Sequence, residues 1–212
     1  TMAVFQVESS GMRAALTQLK PNCLEDIIAL VALYRPGPME NIPKFCRVKN
    51  KIQDREFIHP SIDKLLDETQ GIIVYQEQVM EIARKMAGYT LGQADLLRRA
   101  MGKKIKKDMD AERPRFISGA LKNNIDELLA NRVWLLLEKF ANYGFNKSHA
   151  AAYALVSYQT CWLKANYPIE YMAAVMNNDI NYTDKISLYK HEVNELGICL
   201  LPPSLNKSIE VF

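Results

Sequence analysis

The chain has 212 residues, of which 49% are hydrophobic and 24% are charged, and its formal net charge is +3. A globular chain of this length buries about 70% of its unfolded surface, and this composition excludes a disordered tail, a collagen or a mucin. The lack of any apolar run of about 18 residues excludes a membrane-spanning helix. The four cysteines are scattered and no secretory signal precedes them, so we expect reduced thiols in a cytosol.

Helical periodicity runs through most of the chain, so we predict a mainly α-helical fold with at most one or two short strands. The predicted helices cover residues 10–20, 24–33, 76–87, 91–102, 107–122, 126–143, 147–165, 168–176 and 183–196. A short helix and a loop are expected between residues 40 and 60. The strand-like runs are residues 71–75 and 198–201, and Pro114 predicts a kink or a split in its helix.

The excess positive charge lies in one short segment, residues 98–107, which carries six basic residues and no acidic one. Without these six, 21 basic residues face 24 acidic ones and the net charge is −3. Such a concentrated patch attracts phosphate groups. A solvated helix end is an equally good interpretation, since cations near a helix C-terminus complement the helix dipole.

A second polar cluster, residues 146–149, opens the long helix that follows Gly144. Backbone N–H groups at a helix N-terminus favour an anion, but the spacing alone slightly favours a plain helix cap.

Most catalytic templates are missing from the sequence. It contains neither a P-loop nor a dinucleotide-binding glycine motif, and its three histidines lack metal-ligand spacing. Asp108 and Asp110 form a D-x-D pair, but residues two apart on a helix point about 200° apart around its axis. We therefore predict no metal site.

Several separated segments, in one order along the chain, resemble a single protein family. They are Val4–Ser9, Ile28–Pro38, Gly71–Met80, Leu97–Lys104, Tyr143–Tyr153 and Leu155–Thr160. Together they resemble the alpha subunits of bacterial DNA polymerase III, the C-family replicative polymerases. The resemblance implies that residues 1–212 form a fingers domain truncated at both ends, with residues 1–20 at the junction with the palm.

The same resemblance implies an activity and its partners. The parent enzyme would be a DNA-directed DNA polymerase, a nucleotidyltransferase that uses Mg²⁺ held by aspartates of the palm. The palm is absent here, so this fragment alone is expected to be inactive and to bind no metal. The implied partners are primer–template DNA, dNTP, the sliding clamp, the proofreading exonuclease subunit and the clamp loader, without a membrane.

Site residues are transferred from the family by position. The resemblance implies that the triphosphate meets Arg98 and Arg99, assisted by Lys147 and Ser148, while His149 contacts the sugar. The remaining cations of the basic segment are expected to contact the DNA backbone or solvent, and they are Lys103, Lys104, Lys106 and Lys107. Two alternatives are a freestanding helical nucleic-acid-binding module that uses residues 98–107 and a scaffold that docks partner proteins. No role is assigned to Arg35 or to residues 76–78.

Overall fold

The computed structural model describes residues 1–103, 106–141, 143–206, 208 and 212, without the side chains at positions 102, 103, 106–108, 110 and 141. Within these residues the chain forms eleven α-helices, two short 3-10 helices and no strand. The helices are α1 Ser10–Leu19, α2 Leu24–Leu33, α3 Ile42–Lys49, α4 Pro60–Asp63, α5 Gln76–Ala87, α6 Leu91–Lys103, α7 Lys106–Lys122, α8 Glu127–Ala141, α9 Lys147–Asn166, α10 Pro168–Asn178 and α11 Thr183–Glu195. The 3-10 helices are Pro38–Asn41 and Lys64–Thr69. The prediction of a mainly α-helical fold is confirmed.

The prediction of short strands at residues 71–75 and 198–201 is wrong. Within the described part of the chain, residues 71–75 make only one isolated parallel bridge, between Tyr75 and Phe145. Residues 198–201 also lack a partner, and Ile198 instead packs against a helical core. β-Branched residues fit a pleated surface, but a strand exists only where a neighbouring strand completes the ladder.

Pro114 does not split its helix, because α7 runs continuously from Lys106 to Lys122. A proline inside a helix removes one backbone hydrogen bond and crowds the preceding turn. The following turns of α7 bury Phe116 and Ala120 completely, and this tertiary packing holds the helix together across the interruption.

Two predicted helix starts are confirmed by their caps. At α6, Thr90 Oγ1 accepts from Gln93 N at 3.3 Å and Gln93 Oε1 accepts from Thr90 N at 2.9 Å, a reciprocal capping box. At α8, Asp126 Oδ2 accepts from the backbone N–H groups of Leu128 and Leu129 at 2.9 and 3.2 Å. These side chains satisfy N–H groups that have no partner inside the helix.

The chain divides into two compact units, and the larger comprises residues 15–152. Its main core lies among α5, α6, α7 and α8, where fully buried Phe116 packs against Trp134 with ring centroids 5.5 Å apart. Tyr89 adds a third ring, 6.4 Å from Phe116, and its hydroxyl donates to Glu112 at 2.8 Å. This core fixes α5 and α6 relative to one another. The first turn of α5 and the second half of α6 carry the polar groups described below.

The smaller unit comprises residues 1–14 and 153–212. Met172 and Met176 of α10 pack with Tyr189 and Val193 of α11 in its core. Lys164 is nearly buried, and it donates to the Met2 carbonyl and pairs with Glu192. None of the helices in the described part of the chain is long and apolar enough to cross a membrane.

Candidate functional site

The two arginines of α6 share one carboxylate. Asp95 Oδ1 accepts from Arg98 Nε and Nη2 at 2.9 and 2.8 Å, and its Oδ2 lies 2.8 Å from Arg99 Nε. The hydrogen bond from Arg98, together with the positive charge of both guanidinium groups, lowers the pKa of Asp95 below its ordinary value. The Arg99 side chain is 63% exposed and that of Arg98 only 34%. Asp95 therefore aligns both arginines while most of Arg99 stays accessible.

Arg98 also reaches the first residue of α5. Its Nη1 lies 3.4 Å from Gln76 Oε1, a long hydrogen bond. The same amide donates through Nε2 to the Gly144 carbonyl at 3.2 Å. Gly144 leaves room for this approach, because a Cβ atom there would lie 2.9 Å from Gln76 Cγ. One glutamine thus joins α6 to the loop that precedes α9.

The N-terminus of α9 is capped from two sides. Asn146 Oδ1 accepts from the backbone N–H of His149 at 2.8 Å, while its Nδ2 donates to Glu77 Oε1 at 3.0 Å. The backbone N–H of Lys147 donates to both oxygens of the Glu77 carboxylate, at 3.2 and 3.1 Å. The N–H groups of Lys147 and His149 therefore have acceptors within the chain. Two of the backbone N–H groups at the start of α9 are thus already engaged by side chains of this chain.

The ammonium group of Lys147 is also paired. Its Nζ donates to both oxygens of Glu68, at 2.8 and 2.6 Å, and lies 5.5 Å from the centroid of the Tyr75 ring. Tyr75 is almost fully buried, and burial, reinforced by the negative charges of Glu68 and Glu77, raises the pKa of its hydroxyl. Tyr75 is therefore neutral and provides an uncharged wall beside the ammonium group.

The loop between α8 and α9 is held by the segment that follows α2. Arg35 Nη2 donates to the Tyr143 carbonyl, and the guanidinium carbon lies 4.5 Å from the centroid of the Phe145 ring. Gly37 has φ +98°, and a Cβ atom there would lie 2.2 Å from the Tyr143 ring. Arg35 and Gly37 thus fix the loop that aims the start of α9.

The structure brings only some of the predicted site residues together. Arg98 and the backbone of Lys147 contact adjacent residues of one turn, Gln76 and Glu77. Ser148 and His149 are exposed on α9, and the His149 ring meets the ring of Phe145 with centroids 5.5 Å apart.

The basic segment is described only in part. Lys104 lies outside the described residues, as do the side chains of Lys103, Lys106 and Lys107. The side chains of the D-x-D pair, Asp108 and Asp110, lie outside them as well. Among the described residues, no group of three or more His, Cys, Asp or Glu side chains could hold a metal ion.

Sequence reasoning missed the groups that organise these cations. Gln76 and Glu77 contact residues 68 to 70 positions further along the chain, so no local pattern reveals their pairing. Glu68 contacts Lys147 across 79 positions. The available signal was the motif around residues 76–78, which carried part of the family resemblance without a role.

Comparisons with known proteins agree with the resemblance. The model of the bacterial DNA polymerase III alpha subunit finger domain matches residues 1–124. The chain is similar to DNA polymerase III subunit alpha from Thermus aquaticus (54% identity over 213 residues), Rickettsia felis (53% over 207) and Caulobacter vibrioides (51% over 208). Each alignment covers 98% of this chain but only 17% or 18% of the relative. The chain thus spans less than a fifth of the length of these relatives.

Proposed function

Because this chain belongs to the family of bacterial DNA polymerase III alpha subunit finger domains, we propose that it forms the fingers of a replicative DNA polymerase and holds the triphosphate of the incoming dNTP. The observation that carries this proposal is the convergence of two cationic elements on one turn. Arg98 of α6 meets Gln76 through its guanidinium group, and Lys147 at the start of α9 meets Glu77 through its backbone N–H.

The chemistry of polymerisation explains why cations belong here. The primer 3′-hydroxyl attacks the α-phosphate of the dNTP and pyrophosphate leaves, so the enzyme must position the triphosphate and neutralise its charge. The planar guanidinium groups of Arg98 and Arg99 can donate pairs of hydrogen bonds to phosphate oxygens. Lys147 contributes a compact positive charge, and the exposed hydroxyl of Ser148 contributes a donor beside it.

His149 is proposed to contact the sugar of the same nucleotide. Its side chain is exposed beside the Phe145 ring, two residues after Lys147 on the first turn of α9. A bulky ring at the sugar leaves no room for a 2′-hydroxyl, which would favour deoxyribonucleotides. The fingers as a whole are proposed to cover the nascent base pair.

The complete enzyme is proposed to supply what this chain lacks. The Mg²⁺ ions of the reaction would be held by the palm, and we expect the 212-residue chain alone to be inactive. Lys103, Lys104, Lys106 and Lys107 are proposed to contact the backbone of primer–template DNA. The sliding clamp, the proofreading exonuclease subunit and the clamp loader are the proposed protein partners, in the bacterial cytoplasm.

Primer extension with the full-length polymerase tests this proposal. Arg98→Ala and Arg99→Ala are each titrated with dNTP, and we expect KM to rise or kcat to fall by about tenfold or more, equivalent to about 1.4 kcal/mol of lost contact. Arg84→Ala is the matched control, because Arg84 pairs with Glu81 three residues away just as Arg98 pairs with Asp95. The control should leave the dNTP kinetics unchanged.

The opposite outcome would favour the alternative function. If both arginine variants keep the parent KM and kcat for dNTP while the salt dependence of DNA binding weakens, residues 98–107 are a DNA-backbone patch. That result would refute the nucleotide site and favour a nucleic-acid-binding module.

A further inference from the structure

Gln76 is placed between the two cationic elements and uses both ends of its amide. Its Oε1 accepts from Arg98 Nη1 at 3.4 Å, and its Nε2 donates to the Gly144 carbonyl at 3.2 Å. Asp95 engages Nε and Nη2 of Arg98, so Gln76 binds the remaining nitrogen of the guanidinium group. Because that group is planar, contacts at all three nitrogens fix its direction as well as its position.

Glu77 performs the corresponding task for α9. Its carboxylate accepts from Asn146 Nδ2 and from the backbone N–H of Lys147. The bond to Nδ2 turns the Asn146 amide so that Oδ1 faces the backbone N–H of His149. Glu77 therefore sets the cap, and with it the direction in which the first turn of α9 leaves the loop.

The turn that carries both residues is itself anchored. The Gln76 N–H donates to the Phe145 carbonyl at 2.9 Å, and the Phe145 N–H donates to the Val74 carbonyl at 3.3 Å. Buried Gln78 accepts from Val74 N and Tyr75 N at 2.8 and 3.0 Å. These bonds give the first residues of α5 a fixed backbone from which short polar side chains can position others.

We infer that Gln76 and Glu77 are positioning residues of the nucleotide site, which hold Arg98 and the start of α9 in one mutual geometry. The inference rests on the proposed function, since it assigns an orienting role for the same triphosphate. Neither residue needs to touch the nucleotide. Gln76 acts through Arg98 and the Gly144 carbonyl, and Glu77 acts through Asn146 and Lys147.

The positioning role of Gln76 is tested by a double-mutant cycle with Arg98 in the full-length polymerase. Gln76→Ala should raise KM for dNTP by about threefold to tenfold, the effect of losing one hydrogen bond to a charged group, while kcat at saturating dNTP stays within about twofold. Added to Arg98→Ala, the same change should raise KM by a smaller factor than in the parent, because only the contact of Gln76 with the Gly144 carbonyl is then left to lose. An equal increase in both backgrounds would overturn the inference for Gln76.

The positioning role of Glu77 is tested with two substitutions. Glu77→Ala removes the acceptors and should raise KM for dNTP by about threefold to tenfold. Glu77→Gln keeps an acceptor oxygen in place and should stay within about twofold of the parent. Glu81→Ala, one turn further along α5, loses its ion pair with Arg84 and should leave KM unchanged. An equal loss in both Glu77 variants, or no loss in either, would overturn the inference for Glu77.

The outcomes separate this inference from the proposed function. If the arginine variants of α6 raise KM and the Gln76 and Glu77 variants do not, the nucleotide site stands and the positioning role fails. If the arginine variants leave both KM and kcat for dNTP unchanged, the proposed function itself fails. If Gln76 and Glu77 had a purely structural role, their variants would lose stability and primer–template affinity, and KM for dNTP would not rise while kcat stayed unchanged. Urea unfolding and DNA binding are therefore measured for every variant.

Discussion

At Gly119, α7 lies close to the backbone at the end of α5, and Gly119→Ala is expected to destabilise the larger unit. A Cβ atom at Gly119 would lie 2.2 Å from the carbonyl oxygen of Ala87 and 3.0 Å from its carbonyl carbon. Both contacts are with backbone at the last residue of α5, so no side chain can turn away to make room. The two helices must separate or bend.

Two effects of opposite sign set the magnitude. Alanine is favoured over glycine inside a helix by about 1 kcal/mol, whereas an extra carbon in a packed interface costs about 1–3 kcal/mol and sometimes more. The contact is more than 1 Å too short, which places the cost at or above the upper end of that range. The free energy of unfolding should therefore fall by about 2 kcal/mol or more.

Gly92→Ala in α6 is the matched control, because a Cβ atom there meets nothing within 4 Å. The same chemical change should raise the free energy of unfolding by up to about 1 kcal/mol at Gly92. Urea unfolding is followed by fluorescence of Trp134, which is 1% exposed in the larger unit. A Trp162→Phe background removes the tryptophan of the smaller unit. If Gly119→Ala stabilises the chain as Gly92→Ala does, the close helix contact is refuted.

Three further predictions concern the site itself. Gly37 has φ +98°, and a Cβ atom there would lie 2.2 Å from the Tyr143 ring. Gly37→Ala should therefore lower the free energy of unfolding, measured in urea, by about 2–4 kcal/mol. A loss below about 1 kcal/mol would contradict that packing. The hydrogen bond from Arg98 lowers the pKa of Asp95 below 3.8. The ionised carboxylate therefore stabilises the fold at a pH above its unfolded-state pKa, and this stabilisation is lost as the pH falls through the lower folded-state pKa. An NMR titration midpoint at or above 3.8 would argue against the contact. His149→Ala in the full polymerase should raise ribonucleotide incorporation relative to dNTP, and an unchanged ratio would remove His149 from the sugar contact.

The helices could be predicted from the sequence because their signals are local. Thr90 and Asp126 cap helices at the expected places, and apolar residues repeat at the helical period between the caps. Residues 71–75 could not be interpreted in the same way. Their residue types suit a strand, but whether a strand forms depends on a partner strand, and among the described residues the segment makes only the isolated bridge with Phe145.

The cations of the site were predictable, but their arrangement was not. Arg98 and Lys147 are identified by residue type and by family resemblance. Their distance from one another depends on how Gln76 and Glu77 of a third element bridge them, and that depends on the packing of α5 against α6. Free N–H groups were expected at the start of α9, but the N–H of Lys147 donates to Glu77. Glu77 lies 70 positions earlier in the chain, so the local sequence does not reveal this contact.

The cations of the site are held by exchangeable partners on a fixed backbone. Asp95 pairs with both Arg98 and Arg99, and Glu68 pairs with Lys147, all at partly exposed positions. Exposed ion pairs contribute about 0–1 kcal/mol, so a triphosphate that offers charge-assisted, paired hydrogen bonds can replace these carboxylates at little cost. Each carboxylate offsets the positive charge of the cations with which it pairs. The affinity of such a site for a nucleotide therefore depends on the preorganised geometry of its donors more than on its net charge.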